Sequence, residues 1–303
     1  LGDVYKRQIQ DKLATSAILT YTLDSTCYSV IGKQTEAINE LDKNDPEYYV
    51  KQGNTTEQYI AENSIVKVYG SEAAEELIDH CFQIYGGYGF IEEYPMAQAY
   101  RDNRINKIWE GTNEINRMLC GRAMITKALS GEIGFKEYLE KVDVYCNNGL
   151  DSGYEGDLKT EVECVEAAKA VYAICLNESL SKHGQDIGTE QVIIENLANI
   201  LIYAYVGDST LSRVIQNKDL YVQKNQVVPE LCAKVYTAEQ GIRVMEYANK
   251  ILNSIYDGEI PKELESKFAK LSKRLSLSTD TIGLKKIIGE KVVEAGGYPV
   301  QSF

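Results

Sequence analysis

The sequence predicts an all-α chain. Apolar residues recur at helical spacing over long segments, proline and glycine stand near the segment ends, and no segment alternates apolar and polar residues as a strand does. Hydrophobic residues make up 44% of the 303 residues, which is enough for a buried core, and charged residues make up 25%. We therefore expect helices packed on helices.

The predicted helices form two groups with a break between them. The first group spans residues 9–41, 57–85 and 112–129, and the second spans residues 158–182, 189–216, 229–256, 261–275 and 281–295. Residues 42–56 are polar and contain Pro46 and Gly53, which predicts a loop. Residues 131–157 are rich in glycine, asparagine and aspartate, which predicts a linker.

Apolar residues at i, i+3 and i+4 spacing mark one face of a helix as an apolar stripe. In the second helix this stripe consists of Leu77, Ile78, Cys81, Phe82 and Tyr85. A stripe in the second group, expected in the core or in a dimer contact, consists of Ile193, Leu197, Ile200, Leu201 and Ala204. Pro229 and Pro261 stand where the first turn of a helix accepts proline.

The chain is expected to be a fragment with two helical domains. Residues 1–8 read LGDVYKRQ, and DVYKRQ is what one frame of a common transposon-type sequencing adapter encodes, so we expect these residues to be a sequencing artefact. The division predicted from the pattern is an N-terminally truncated helical domain at 9–130, a linker at 131–157 and an additional helical domain at 158–303.

Charge and hydropathy exclude some classes of function. The net charge of −13 repels nucleic-acid phosphates, so no nucleic-acid partner is expected. No apolar run approaches the length of a membrane span, no signal-peptide pattern opens the chain, and no basic amphipathic stretch supports membrane contact. These features predict a cytoplasmic protein.

Cysteine usage points to buried thiols and not to disulfides or metal ligands. The seven cysteines are scattered, their number is odd, and no pair has C-x-x-C spacing. Only His80 and His183 could join them, so no metal site is predicted. His80 is better explained as a polar residue in helix packing than as a ligand.

Two short stretches have the residue types of a ligand site. Gln83 followed by Gly86, Gly87 and Gly89 places an amide beside backbone that a phosphate or nucleotide can approach, although a helix end with glycine caps looks the same. In Trp109-Glu110-Gly111-Thr112-Asn113 a carboxylate precedes a glycine and a candidate N-cap threonine. A solvated acid before a helix start explains that second pattern equally simply.

Residues 81–120 as a whole resemble the C-terminal signature of the acyl-CoA dehydrogenase family. The family pattern runs Q-I-x-G-G-x-G-F, E-Y-P, R-D-x-R-I and E-G-T-N-[ED]-I-x-R, and these elements stand in the same order at residues 83–90, 93–95, 101–105 and 110–117. The likeness covers residues 9–129. The later helices resemble, in architecture, the additional C-terminal domain of the very-long-chain branch.

The resemblance implies a fold, an activity and a set of site residues. The fold is the C-terminal four-helix-bundle part of the acyl-CoA dehydrogenase fold followed by a second helical domain. The implied enzyme is a flavoprotein oxidoreductase of fatty-acid β-oxidation that uses FAD. The implied roles are Glu110 as the catalytic base, Trp109 and Gly111 at the thioester, and Gln83, Gly86, Gly87, Thr112 and Asn113 at the cofactor. For Arg101, Asp102 and Arg104 a structural salt-bridge cluster is the better interpretation.

The implied reaction is the α,β-dehydrogenation of an acyl-CoA thioester. Glu110 would remove the α-proton, while flavin accepts a hydride from the β-carbon and passes the electrons to an electron-transfer flavoprotein. The resemblance also implies a homodimer or tetramer, and a fragment that is inactive alone because the family's β-domain lies upstream. An acyl-CoA oxidase and a non-catalytic helical scaffold derived from the same fold stay open as alternatives.

Overall fold

The computed structural model describes residues 6–300, and these residues form helices and connecting turns without a strand. The all-α prediction is therefore confirmed for the described part of the chain. The helices are α1 (Arg7–Asn39), α2 (Tyr48–Gln58), α3 (Ile60–Tyr85), α4 (Gly87–Phe90), α5 (Pro95–Arg104), α6 (Asn113–Ser130), α7 (Phe135–Asn148), α8 (Lys159–His183), α9 (Gln191–Gln216), α10 (Lys218–Gln223), α11 (Val228–Ile255), α12 (Lys262–Leu275) and α13 (Thr281–Ala295). Two 3₁₀ turns, Ile105–Lys107 and Gly184–Thr189, complete the described elements.

Most predicted helix ends lie within a few residues of the observed ones because the end signals act as expected. Pro229 lies in the first turn of α11, whereas Pro261 is the residue just before α12. Asp280 caps α13, with its carboxylate accepting a hydrogen bond from the backbone N–H of Gly283 at 2.9 Å. Gly86 ends α3 with a φ of +57°, which glycine adopts at little cost.

The loop predicted at residues 42–56 is wrong, because α2 begins inside it. The side chain of Asp45 accepts a hydrogen bond from the backbone N–H of Glu47 at 2.8 Å, which supports the helix start. Pro46 lies before the helix, and Gly53 lies within it. The segment looks like a loop because the helix is almost wholly exposed: Thr55 is its one buried residue.

The linker predicted at residues 131–157 contains a helix, α7, which corrects that expectation. Val142, Tyr145 and Cys146 are its buried residues, and their spacing places them on one face of the helix. Gly134 and Gly149 flank the helix with φ values of +56° and +95°. The glycines that suggested a linker thus mark the two ends of a short amphipathic helix. Residues 94–109, for which no helix was predicted, contain α5 and a 3₁₀ turn.

The two groups of helices share a hydrophobic core. One buried cluster brings Tyr21 and Ile65 of the first group together with Val206 and Tyr236 of the second. The phenol oxygens of Tyr21 and Tyr221 lie 3.2 Å apart inside this region. Another cluster joins α6 to α8, α9, α11 and α12. The division of the chain into domains stays a prediction, and its two parts pack on each other.

The apolar stripe predicted in α9 lies in the core. Ile193, Leu197, Ile200 and Ala204 are buried, and Leu201 packs against the same clusters. Each leucine or isoleucine of this stripe contributes on the order of 1.5–3 kcal/mol when it is fully buried. All seven cysteines are free thiols, and five of them are buried. Among the described helices, none has the length and apolar character needed to cross a membrane.

The segment predicted to be a sequencing artefact falls partly outside the described residues. Residues 1–5 are not described, and α1 begins at Arg7. The guanidinium of Arg7 pairs with Glu290 of α13 at 2.7 Å on the surface. The artefact interpretation stays a prediction.

Candidate active site

The turn before α6 holds Glu110 in a left-handed backbone conformation. Glu110 has a φ of +53° and Gly111 a φ of +78°, and glutamate rarely adopts such a conformation. Thr112 is the N-cap of α6, as the sequence predicts, and its hydroxyl accepts a hydrogen bond from the backbone N–H of Ile115 at 3.3 Å. The carboxylate is therefore carried by a sharp turn at a helix start.

The side chain of Asn116 fixes this turn from within. Its Nδ2 donates to the carbonyl oxygens of Glu110, Gly111 and Thr112 at 3.3, 2.8 and 3.1 Å. Asn116 is only 6% exposed, so its amide is largely shielded from water where it holds these carbonyls. A Cβ on Gly111 would lie 3.1 Å from the same Nδ2, which leaves little room for a side chain at that position.

A second set of polar side chains ties the turn to α3. The ammonium of Lys67 donates to the carbonyl oxygen of Gly111 at 2.6 Å and to Oδ1 of Asn113 at 2.8 Å. Nδ2 of Asn113 donates to the hydroxyl of Ser71 at 2.9 Å and to the carboxylate of Glu72 at 3.1 Å. Asn113 is 2% exposed, and these contacts use both ends of its amide.

The carboxylate of Glu72 also connects the turn to α9, through Arg117. Arg117 contacts both oxygens of Glu72 at 2.8 and 2.9 Å, a two-point pairing that fixes the planes of both groups. Nε of Arg117 donates to Oδ1 of Asn199 in α9 at 2.7 Å. The three helices α3, α6 and α9 thus share one hydrogen-bonded network beneath the turn.

The charges in this network act on one another. Burial lowers the pKa of the Lys67 ammonium, while Glu114 and Glu72 oppose that change. Burial also acts to lower the pKa of Arg117, but the hydrogen bond and the charge of Glu72 outweigh it and raise the pKa above its ordinary value. The hydrogen bonds that Glu114 accepts from its own N–H and from Thr112 lower the pKa of that carboxyl.

The outer side of the turn is open. The Glu110 side chain is exposed, and Trp109 is 56% exposed. Between residues 85 and 119 the chain exposes eleven large apolar side chains: Tyr85, Tyr88, Phe90, Ile91, Tyr94, Tyr100, Ile105, Ile108, Trp109, Ile115 and Leu119. A surface of this kind indicates contact with a ligand or another protein surface. The arrangement presents a carboxylate at an apolar surface, as removal of a carbon-bound proton requires.

The glycine-rich stretch lies at the far end of α3. Gln83 is exposed in the last turn of that helix, and a Cβ on Gly86 or Gly87 would meet open space. Gly89 is packed tightly instead, since its Cβ would lie 2.6 Å from the carbonyl oxygen of Phe82. Gln83 stands eleven positions after Glu72, about 16 Å along the helix. Within this chain the two groups of predicted site residues therefore lie apart.

Of the other polar residues singled out by the sequence, Arg101 has an ion pair on the surface. Arg101 pairs with the carboxylate of Glu92 at 2.9 Å on the surface, as a salt-bridge role predicts. Asp102 and Arg104 are exposed on the same helix, α5. Among the described residues, the buried Nδ1 of His80 has no hydrogen-bond partner, and burial lowers the pKa of this side chain.

Sequence reasoning missed several residues of the network. Lys67, Ser71 and Glu72 lie on one face of α3, and Asn199 lies far away in the chain. Lys67 and Ser71 stand four residues apart, which is a signal that two polar groups share a helix face. Asn116 and Arg117 belong to the recognised motif, but their roles depend on contacts that only the fold shows.

Comparison with known proteins finds one family along most of the chain. A family model described as the acyl-CoA dehydrogenase C-terminal domain matches residues 4–125, and a second model with the same description matches residues 167–267. The chain is 28% identical over 292 residues to a probable acyl-CoA dehydrogenase of Bacillus subtilis, covering 96% of this chain and 49% of that protein. It is 31% identical over 225 residues to the mitochondrial very long-chain specific acyl-CoA dehydrogenase of Bos taurus, covering 68% of this chain and 32% of that protein.

A solved structure has the same fold as this chain. It is an acyl-CoA dehydrogenase from Bacillus anthracis complexed with FAD, with a TM-score of 0.89 and 28% identity over 98% of this chain and 50% of that one. The chain spans about half the length of these bacterial relatives. Because models of one family match both of its parts, and a solved relative shares its fold, the chain belongs to the acyl-CoA dehydrogenase family.

Proposed function

We propose that Glu110 is the catalytic base in flavin-dependent α,β-dehydrogenation of fatty acyl-CoA thioesters, a step of fatty-acid β-oxidation. The observation that carries the proposal is the turn itself. An exposed carboxylate stands on a left-handed residue, and hydrogen bonds from Asn116 and from Lys67, which also binds Asn113, hold the backbone around it. Uncommon backbone conformations persist where the surrounding structure enforces them, and they are concentrated at functional sites.

The proposed chemistry for this chain is proton removal from carbon. The α-proton of a thioester is weakly acidic, so the carboxylate needs help from groups that stabilise negative charge on the thioester oxygen. The backbone N–H of Glu110 is the donor that this chain would supply. Gly111 keeps the turn narrow, and Trp109 provides a flat apolar surface beside the thioester. Exclusion of water by the bound acyl chain strengthens the carboxylate as a base.

FAD is the proposed cofactor, and the residues present fit it. The backbone at Gly86 and Gly87 is open to close approach, and the Gln83 amide is exposed beside it. We assign Gln83, Gly86, Gly87 and Thr112 to cofactor contact. The bound flavin would supply the hydride acceptor for the β-carbon. The Asn113 side chain is already hydrogen-bonded to Lys67, Ser71 and Glu72. Asn113 would therefore contribute to cofactor binding through its backbone atoms or by holding the turn.

The proposed partners are an electron-transfer flavoprotein and further copies of the same protein. The exposed apolar surface around residues 85–119 is suited to a subunit contact in a homodimer or tetramer. The charge of −13 argues against nucleic acid as a partner, and we propose a cytoplasmic location.

The test is the Glu110→Gln variant of the complete, flavin-loaded protein. Glutamine keeps the size of the side chain and cannot accept the α-proton as a base. We expect the rate constant for flavin bleaching by acyl-CoA to fall by about 10²–10⁴-fold or more, while flavin stays bound. Glu140→Gln, on an exposed part of α7, is the matched control and should bleach as the wild type does. A Glu110→Gln protein that bleaches at near wild-type rate would show that another group is the base.

The alternatives give different results in the same assay. An acyl-CoA oxidase would bleach without oxygen and recover its flavin absorbance quickly when oxygen is admitted. Two acyl-CoA oxidases of Yarrowia lipolytica have TM-scores of 0.60 with 17% and 16% identity, and this likeness shows the fold alone. A non-catalytic scaffold would show no bleaching with thioesters of any length.

A further inference from the structure

Asn199 of α9 stands at one end of an unbroken series of hydrogen bonds that ends at the backbone beside Glu110. It accepts from Nε of Arg117 at 2.7 Å, and Arg117 grips the carboxylate of Glu72 at two points. Glu72 in turn accepts from Asn113, whose Oδ1 is bound by Lys67. The ammonium of Lys67 reaches the carbonyl oxygen of Gly111 at 2.6 Å.

Each member of this series has a fixed position because its partners are buried or shared. Asn199 is 8% exposed and Asn113 is 2% exposed, so neither amide can replace its protein partner with water at little cost. The guanidinium of Arg117 is planar, and bonds at Nε and at both terminal nitrogens leave it a single orientation. Glu72 is thereby presented to Asn113 in one plane.

Asn199 fixes which way the guanidinium of Arg117 faces. Its Oδ1 accepts from Nε, which leaves both terminal nitrogens on the carboxylate of Glu72. Glu195, one turn earlier in α9, adds a second negative charge that raises the pKa of Arg117.

We propose that α9 braces the catalytic turn, and that Asn199 is a positioning residue for Glu110 that acts through Arg117, Glu72 and Asn113. This inference rests on the proposed function, and it gives the second group of helices a part in it. Small displacements of a catalytic group reduce the rate strongly, so a brace below the turn has a kinetic effect.

The first experiment measures hydrogen–deuterium exchange in this chain, without cofactor or substrate. The variants are Asn199→Ala, the conservative Asn199→Asp and the control Asn196→Ala, whose native side chain donates to the carbonyl oxygen of Val192 in its own helix. We expect the backbone amides of residues 108–117 to exchange about 5–30-fold faster in Asn199→Ala. Asn199→Asp keeps an acceptor for Nε of Arg117 and should restore slow exchange.

The second experiment measures flavin bleaching in the complete, flavin-loaded protein with the same variants. We expect the limiting rate constant of Asn199→Ala to fall about tenfold while the Kd for acyl-CoA changes less than about twofold. Asn199→Asp should recover most of the rate, and Asn196→Ala should match the wild type.

The results distinguish failure of the proposed role of α9 from failure of the proposed function. If the turn exchanges no faster in Asn199→Ala than in Asn196→Ala, the brace is disproved whatever the activity. Faster exchange with an unchanged bleaching rate would show that α9 has no positioning role in the reaction. If the wild type itself does not bleach, the proposed function fails, and the exchange result by itself still decides whether α9 holds the turn.

Discussion

Nδ2 of Asn116 lies 2.8 Å from the carbonyl oxygen of Gly111 and within 3.1 Å of the point where a Cβ on Gly111 would stand. A residue of α6 thus holds the turn that precedes its own helix. The spacing of five positions between the two residues brings the amide back over the helix start. Only a residue without a side chain fits beneath this amide, at a φ of +78°.

Gly111→Ala should destabilise the chain through both backbone strain and this close contact. We expect the free energy of unfolding to fall by about 2–3 kcal/mol, measured by urea denaturation. The matched control is Gly258→Ala, which has a φ of +84° and open space around its Cβ. That variant should lose about 1 kcal/mol from strain alone. Equal losses in the two variants would mean that the Asn116 amide yields to the methyl group.

Lys67→Met should loosen the turn by removing two hydrogen bonds from one ammonium group. The carbonyl oxygen of Gly111 and Oδ1 of Asn113 would each lose a charged donor. We expect the free energy of unfolding to fall by about 1–2 kcal/mol in urea denaturation. Lys67→Arg keeps donors at the end of a long side chain and should recover part of the loss. A Lys67→Met protein as stable as the wild type would show that water replaces the ammonium without penalty.

The sequence predicts most helices well, because long amphipathic segments with caps carry their own signals. α13 begins and ends where proposed, and α6 begins after its threonine cap. The helices α2 and α7 escape prediction because one is almost fully exposed and the other lies between glycines. In both cases glycine or polar composition dominates the local pattern, and packing decides the outcome.

The candidate site is predictable only in its local part. The turn and the helix cap are predicted from adjacent residues of the chain, namely Glu110, Gly111 and Thr112. Asn113 is predicted at the cofactor, whereas its side chain is bound by Lys67, Ser71 and Glu72. Contacts between helices depend on which faces meet, and a single sequence does not contain that information.

Gly289→Ala should disturb the packing of α13 on α1. A Cβ at this position would lie 2.5 Å from the backbone carbonyl oxygen of Gln10, and backbone atoms cannot move aside as a flexible side chain can. We expect a loss of about 1–3 kcal/mol in the free energy of unfolding. Gly32→Ala, a helical position with open space, should instead be neutral or gain about 0.5–1 kcal/mol. If both variants were stabilised, the two helices would have to separate more easily than their contact suggests.

Glu161→Gln should stabilise the protein at neutral pH, because Glu161 is only 6% exposed and burial raises the pKa of its carboxyl above the ordinary value of 4.5. The folded state then binds a proton more tightly than the unfolded state, so the ionised side chain is unfavourable in the fold. Above the folded pKa this penalty is complete, and it disappears as the pH falls through the folded pKa towards 4.5.

Glutamine at position 161 carries no charge and escapes the penalty. The variant should therefore unfold at a higher temperature than the wild type at pH 7, with a difference that shrinks on acidification. Thermal unfolding of both proteins across this pH range measures it. Glu140→Gln, at an exposed position of α7, is the control and should show no such convergence. A constant difference between Glu161→Gln and the wild type at all pH values would mean that packing, and not the buried charge, separates them.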